Sequence, residues 1–203
     1  MIALDQQRQP YIVGIGGTTR GTSSTGCALA FALHRAQLNG ARSHMFDGTF
    51  LHSLPYYIPD KKALTDTQYE LISNVRQADA VIIATPGYHG SISGLVKNAL
   101  DTLEELRNDE RPYLDGRAVG CIVTTYGCQT AGTVLMSLRA IVHSLRGWPT
   151  PFGASIDTRK TCFDNTGSCS DTKIIKQLET IGIQVAEFAH AFILRRAIQQ
   201  QYI

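Results

Sequence analysis

The run Ala80-Val-Ile-Ile-Ala-Thr-Pro-Gly-Tyr-His-Gly-Ser91 and its continuation Ile92-Ser-Gly-Leu-Val-Lys-Asn-Ala-Leu-Asp101 decide the fold class of this chain. Residues 80–84 are uninterrupted, apolar and rich in β-branched side chains, as a strand covered on both faces of a parallel sheet must be. Residues 85–91 are turn-rich, and Ser93 is placed to cap a helix whose apolar positions Val96, Ala99, Leu100 and Leu103 keep helical spacing. Strand, loop and helix in this order put the loop at the carboxyl end of a strand. Open α/β sheets bind their ligands there.

The same alternation extends in both directions. Towards the amino terminus, residues 11–17 read as a strand finishing in glycines, and Ala28, Leu29, Ala32 and Leu33 mark a helix that stops at Gly40. Residues 43–47 read as a second strand, 48–64 as a proline- and tyrosine-containing loop, and a helix begins at Thr65 or Asp66 and runs to Arg76. Towards the carboxyl terminus, residues 107–116 form a polar connection, 118–124 a strand and 126–132 a glycine-containing loop. The helix that follows carries Val134, Leu138, Ile141 and Leu145 on one face, with Gly147 and Pro149 ending it. Residues 150–156 read as a fifth strand, 157–169 as irregular, and 170–199 as a long amphipathic helix with the stripe Ile174, Leu178, Ile181, Val185, Phe188 and Phe192.

Five strands alternating with five helices predict an α/β three-layer sandwich, a five-stranded parallel sheet with helices on both faces. The expected strand order is the flavodoxin-like 2-1-3-4-5. Residues 1–10 are read as an extension and 11–203 as a single domain.

At 203 residues, with 43% hydrophobic and 18% charged, the composition is that of a globular chain and not a disordered one. The 19 basic and 17 acidic residues are scattered, leaving a formal charge of +2 and no run suited to nucleic acid. No stretch approaches the roughly 18 apolar residues of a membrane span, and the polar start is not a secretory signal. The expected location is the cytoplasm. The five cysteines include no Cys-x-x-Cys pair and the six histidines are dispersed, so no metal site is expected. Cys27 and Cys121 read as buried free thiols.

The loop after the first strand admits several readings. Gly14 and Gly16 begin a dinucleotide fingerprint, but Thr19 stands where the third glycine should be, although Asp47 mimics the ribose-binding acid. Gly16 and Gly21 have Walker A spacing, but Thr22 replaces the lysine that contacts the β- and γ-phosphates. The third reading is a phosphate monoester held by Gly17, Thr18, Arg20, Ser23, Ser24 and Thr25, through hydroxyls, amides at a helix amino terminus and one guanidinium. Against it stands simple helix capping by Ser23 or Ser24.

Gly17-Thr-Thr-Arg20-Gly-Thr-Ser23 and Pro86-Gly-Tyr88-His89-Gly90-Ser91-Ile-Ser-Gly94-Leu-Val-Lys97-Asn98-Ala-Leu-Asp101 together resemble the NADPH-dependent FMN reductase family of flavodoxin-like proteins. The first is similar to that family's Gly-Ser-x-Arg-x-x-Ser phosphate loop. The second is similar to its Pro-x-Tyr-Asn-Gly-Ser-x-Pro-Gly-x-Leu-Lys-Asn-x-x-Asp segment. The chain departs from the pattern at His89, where asparagine is usual, and at Ser93, where proline is usual. Tyr126-Gly127-Cys128-Gln129 also replaces a more glycine-rich loop.

The resemblance implies FMN, with its phosphate on residues 17–25, its ring lined by Pro86, Gly87, Tyr88, His89, Gly90 and Ser91, and Thr125, Tyr126 and Gly127 bordering the ring. It implies an oxidoreductase that takes hydride from NADPH or NADH and passes electrons to free flavin, a quinone or another small acceptor, as a homodimer or homotetramer. Hydride transfer between nicotinamide and flavin needs no side-chain acid or base, so no catalytic residue is assigned. His89 is the one candidate proton donor, set against an ordinary exposed loop histidine. Two other functions fit the same residues: an electron carrier that holds FMN without oxidising nicotinamide, which the basic balance disfavours, and a non-catalytic nucleotide-binding module.

Overall fold

The computed structural model describes residues 8–59, 63–160, 163–164 and 166–200. Most of the expected amino-terminal extension (1–7), and Cys162, lie outside the described residues. Strands β1 (Tyr11–Gly16), β2 (Arg42–Phe46), β3 (Ala80–Tyr88) and β5 (Ala118–Thr125) are mutually parallel in the order β2-β1-β3-β5. Two short parallel strands, β6 (Trp148–Pro149) and β7 (Ala154–Asp157), extend the far side of β5, and β4 (Ser91–Ile92) folds back antiparallel on the end of β3. The helices are α1 (Ser24–Leu38), α2 (Gly48–Ser53), α3 (Asp66–Gln77), α4 (Gly94–Thr102), α5 (Ala131–Ser144) and α6 (Thr172–Gln200).

The order agrees with the flavodoxin-like expectation, and the differences are local. The fifth strand, read as 150–156, begins only at Ala154, with a separate two-residue strand before it at 148–149: the Thr150 amide still donates to the Val119 carbonyl at 3.0 Å, but Pro151 has no amide to continue the ladder. Thr150 Oγ1 donates to the Phe152 carbonyl at 2.8 Å, and an Arg139 guanidinium nitrogen donates to the Thr150 carbonyl at 2.9 Å. The loop read over 48–64 begins with α2, which Asp47 caps by accepting from the Phe50 amide at 2.9 Å. β3 runs four residues beyond Ala84, to Tyr88, before turning into β4.

The two faces of the sheet differ in side-chain size. Val13, Ile15, Val81, Ile83, Val119 and Val123 point to the face covered by α3, α4 and α5. The opposite face carries Ile12, Ala80, Ile82, Ala84, Ala118 and Ile122, with glycines at 14 and 120, and is covered by α1 and α6. A methyl at Gly120 would sit 2.6 Å from Ile181 Cγ2, so α6 rides directly on the sheet backbone. Leu178, Ile181 and Val185 of α6 are fully buried within the chain. Each such burial contributes about 1.5–3 kcal/mol, enough to fix that half of the helix intramolecularly. Farther along, Phe188 and Phe192 stack at 4.7 Å beside the half-exposed Trp148.

Because β1, β3 and β5 run the same way, the loops that follow them emerge on one edge. That edge also receives the end of β2.

Candidate functional site

The chain leaves β1 through residues 17–23 and enters α1, whose N-cap is Ser23, accepting from the Gly26 amide at 3.0 Å. Of the amides from Thr18 to Gly26, only two find an acceptor among the described residues: Arg20, on Thr18 Oγ1 at 3.2 Å, and Gly26. The rest form an array of free donors at the positive end of a 15-residue helix. No carboxylate occurs in the loop. This is the donor chemistry of an anion cradle.

Gly17 has φ +123°, and a methyl on it would lie 2.7 Å from the Gly48 amide nitrogen. Likewise a methyl on Gly48 would collide with the Thr18 carbonyl. First loop and start of α2 therefore meet backbone to backbone, with a cleft on either side. The inner cleft, about 170 Å³, lies between Gly17, Thr18 and Thr19 on one side and Pro86, Tyr88, Ser93, Gly94 and Leu95 on the other. The outer cleft, about 430 Å³, runs between the first loop, α1 and the end of β2.

Facing the first loop is the β3–β4 hairpin. Gly87 pairs with Ile92 and Tyr88 with Ser91, leaving a two-residue turn in which His89 has φ 50° and Gly90 φ 82°. Two successive positive φ values define a type I′ turn, for which Asn-Gly is the preferred pair. Histidine is among the few side chains enriched in the left-handed region, so His89 keeps the turn that asparagine usually makes. Its side chain is exposed.

The hairpin is clasped to α4 by the buried Thr85, whose Oγ1 donates to the Pro86 carbonyl and accepts from the Ser93 amide, both at 3.0 Å. Proline at 93 could not give that amide. Ser93 in turn caps α4 through the Val96 amide at 3.2 Å.

The third loop adjoins the hairpin, since a methyl at Gly87 would lie 2.7 Å from Thr125 Cγ2. Thr125 Oγ1 donates to the Gly127 carbonyl at 2.6 Å, and the Gly127 amide donates to Asp157 Oδ1 at 3.0 Å. Hydrogen bonds from the Arg159 guanidinium, at 2.5 Å, hold the Asp157 carboxyl down at about 2, with the Arg159 and Gly127 amides adding to the effect. Tyr126 is 87% exposed at the mouth.

Of the residues singled out from sequence, Gly17, Thr18, Pro86 and Tyr88 line the inner cleft, whereas Arg20 and Ser23 line the outer one. Thr25 is buried and bonds Thr124 at 2.6 Å, so its hydroxyl faces the sheet and only its amide faces the edge. Ser24 lines neither cleft. His89, Gly90 and Ser91 form the turn, and Thr125, Tyr126 and Gly127 flank it. Cys121 is buried, its thiol pushed up to about 12 by desolvation, but Cys27 is half-exposed and lines the outer cleft, against expectation. Sequence reasoning missed Thr19 and Leu95, which line the inner cleft, and Asp157, which anchors the third loop. Thr19 and Leu95 sat inside motifs already recognised; Asp157 carried no signal.

The sequence profile of a family described as NADPH-dependent FMN reductase matches residues 10–160. A curated relative, an FMN-dependent NADPH-azoreductase of Staphylococcus aureus, is 36% identical over 93 residues, spanning 46% of this chain and 46% of the relative. The match thus covers about half the length of the curated relatives. Among solved structures, FerB from Paracoccus denitrificans, a flavoenzyme NAD(P)H:(acceptor) oxidoreductase, superposes with a TM-score of 0.73 at 21% identity, over 90% of this chain and 98% of that one. The Streptococcus pneumonia TIGR4 flavodoxin superposes with a TM-score of 0.60 at 12% identity, over 87% of this chain and 98% of that one. At these identities the structural matches establish a flavodoxin-like fold.

Proposed function

The chain belongs to the NADPH-dependent FMN reductase family, and from that premise we propose that it is an NAD(P)H-dependent FMN oxidoreductase acting on a small electron acceptor. The observation that carries the proposal is the row of amides between Thr18 and Thr25, all but that of Arg20 without an acceptor among the described residues, set across an edge cleft from the β3–β4 hairpin. The residues fit FMN. The first loop offers donors and one cation without a competing carboxylate, and Pro86, Tyr88 and Leu95 give the inner cleft the apolar wall a flat ring requires.

In this reading the amides of the first loop, with Arg20, hold the phosphate; Pro86 to Ser91 line the ring; and Thr125, Tyr126 and Gly127 border it. When bound there, FMN would supply the two-electron chemistry between nicotinamide and acceptor. The protein's part is to orient and exclude water. The Thr85 clasp and the Asp157 anchor hold the second and third loops in fixed relation, and no side chain is assigned proton transfer.

Residues 11–203 act as one flavin-binding unit in this reading, and the half-exposed cluster of Trp148, Phe188 and Phe192 supports self-association as a dimer or tetramer. Among the described residues no helix is long and apolar enough to cross a membrane, and four cysteines are free, which supports a cytoplasmic location.

The test is to record the visible spectrum of the purified protein with added FMN, then follow NADH and NADPH oxidation. Bound flavin with nicotinamide oxidation is expected; flavin binding without oxidation would replace the reading by an electron carrier. Arg20→Ala should weaken FMN at least about tenfold while leaving riboflavin nearly unchanged, since only FMN carries the phosphate. Equal loss for both ligands would refute the phosphate assignment.

A further inference from the structure

The flavin reading uses only the first-loop rim of the larger cleft, where Arg20 and its neighbouring amides lie, and leaves the part lined by α1 and the end of β2 unused. The outer cleft shares only Gly17 and Thr18 with the inner one, and its volume of about 430 Å³ is within the usual range for small-molecule sites. Three kinds of surface line it. Ala30 and Phe31 of α1 and Met45 of β2 form an apolar wall; Phe31 and Met45 pack one side against the core and keep the other half-exposed. A flat, adaptable apolar wall suits a planar heteroaromatic base.

Asp47, just after β2, also lines the cleft. One of its carboxylate oxygens caps α2 through the Phe50 amide, and the other has no partner among the described residues. An acid at the end of the second strand, after glycines that close the first, is placed as the acid that accepts from ribose hydroxyls in dinucleotide folds. Arg20 lines the cleft as well, within the loop of unpaired amides, with an exposed side chain that makes no ion pair among the described residues. Base and ribose thus find an apolar wall and a carboxylate, and the 5′-phosphate shares the first-loop cation and amides with the flavin phosphate, as two adjacent phosphates of a dinucleotide would.

We propose that the outer cleft takes an adenosine 5′-phosphate group, the adenylate half of a dinucleotide whose other half reaches towards the inner cleft. The proposal rests on the flavin reading only for the identity of that other half. Two sources carry the same group: FAD, in which AMP is joined to the flavin phosphate, and the nicotinamide donor. Asp47 adds a specificity. Its negative charge accepts from a free ribose 2′-hydroxyl but repels a 2′-phosphate, so the cleft selects the unphosphorylated adenylate.

The probes are AMP and 2′,5′-ADP, titrated calorimetrically into the full chain. AMP should bind, and 2′,5′-ADP should bind about tenfold more weakly, a difference of about 1.4 kcal/mol. Ala30→Trp, at an exposed position of α1, should fill the slot and weaken AMP at least about tenfold, with FMN affinity retained. Asp47→Asn keeps the helix cap, because asparagine caps as well as aspartate, and should erase the preference for AMP over 2′,5′-ADP.

The source is read from the same blocking variant. Loss of FAD affinity relative to FMN supports the flavin, whereas a raised KM for NADH with none for reduced nicotinamide mononucleotide supports the donor. Absence of AMP binding at millimolar concentration, or binding that Ala30→Trp leaves intact, overturns the proposal. Equal affinity of the wild type for AMP and 2′,5′-ADP overturns the role given to Asp47. AMP binding without an FMN spectrum would sink the flavin reading alone, and an FMN spectrum without AMP binding this one alone.

Discussion

His89 allows a conformational and a chemical role to be separated in one experiment. Its φ of 50°, next to Gly90 at 82°, places it in the left-handed region at the first position of a type I′ turn. That region costs an ordinary L-residue about 1–2 kcal/mol, less for asparagine and histidine, and most for a β-branched side chain. His89→Val should therefore destabilise the apoprotein by about 1–2 kcal/mol, whereas His89→Asn should match or slightly exceed the wild type. If the hairpin lines the flavin ring, whatever part of that cost the apoprotein escapes by opening the turn passes to binding, so the stability loss and the loss of FMN affinity in His89→Val should together amount to about 1–2 kcal/mol, at most about 30-fold in affinity. Urea unfolding and quenching of FMN fluorescence measure the two effects. The pH dependence of acceptor reduction between about pH 5 and 8 is the third readout, the range in which a histidine proton donor would act. His89→Asn keeps the turn and removes the imidazole, so its profile should be that of the wild type. A flattened profile in His89→Asn, or destabilisation equal to that of His89→Val, would refute a purely conformational role.

The backbone contact between the first loop and α2 gives a second test: Gly48→Ala should cost about 1–3 kcal/mol, because its methyl meets the Thr18 backbone, which cannot yield without moving the loop. Gly21→Ala, with no atom within 4 Å of the added methyl, is the control and should leave thermal stability unchanged. For Asp157 the folded carboxyl lies at about 2, below the ordinary 3.8, so its anchoring of Gly127 is fully present above about pH 4 and is lost as pH falls towards 2. Exchange protection of the Gly127 amide should follow that course, and Asp157→Asn should speed exchange at neutral pH; a transition near the ordinary carboxylate value would contradict the Arg159 pairing.

What could be read without coordinates divides along a physical line. Residues 80–84, 11–16 and 118–124 are legible because a strand buried on both faces must be apolar throughout, and α6 because its buried stripe repeats at helical spacing. The extension of β3 to Tyr88 was hidden, since it depends on an antiparallel partner of two residues and on a turn made by His89, which is not the residue that announces such turns. The split between β6 and β7 and the short helix after Asp47 were hidden for a similar reason: each rests on a few hydrogen bonds and not on periodicity. Asp157 shows the limit most clearly, because it fixes Gly127 across thirty positions with one carboxylate that no spacing rule singles out.

The two departures from the family pattern then have a single explanation. Asparagine and proline at positions 89 and 93 are backbone residues, one suited to positive φ and the other to the start of a helix. Histidine tolerates the same φ, and serine starts the same helix by capping Val96 while giving its own amide to Thr85. Both exchanges therefore preserve the path of the hairpin over the inner cleft, though neither preserves side-chain chemistry. A site that depends on backbone amides and loop shape survives such exchanges, whereas one that depended on the side chains at 89 and 93 would not. The place to look for chemistry particular to this chain is consequently not the hairpin but the outer cleft, which the side chains of Arg20, Asp47 and Phe31 line.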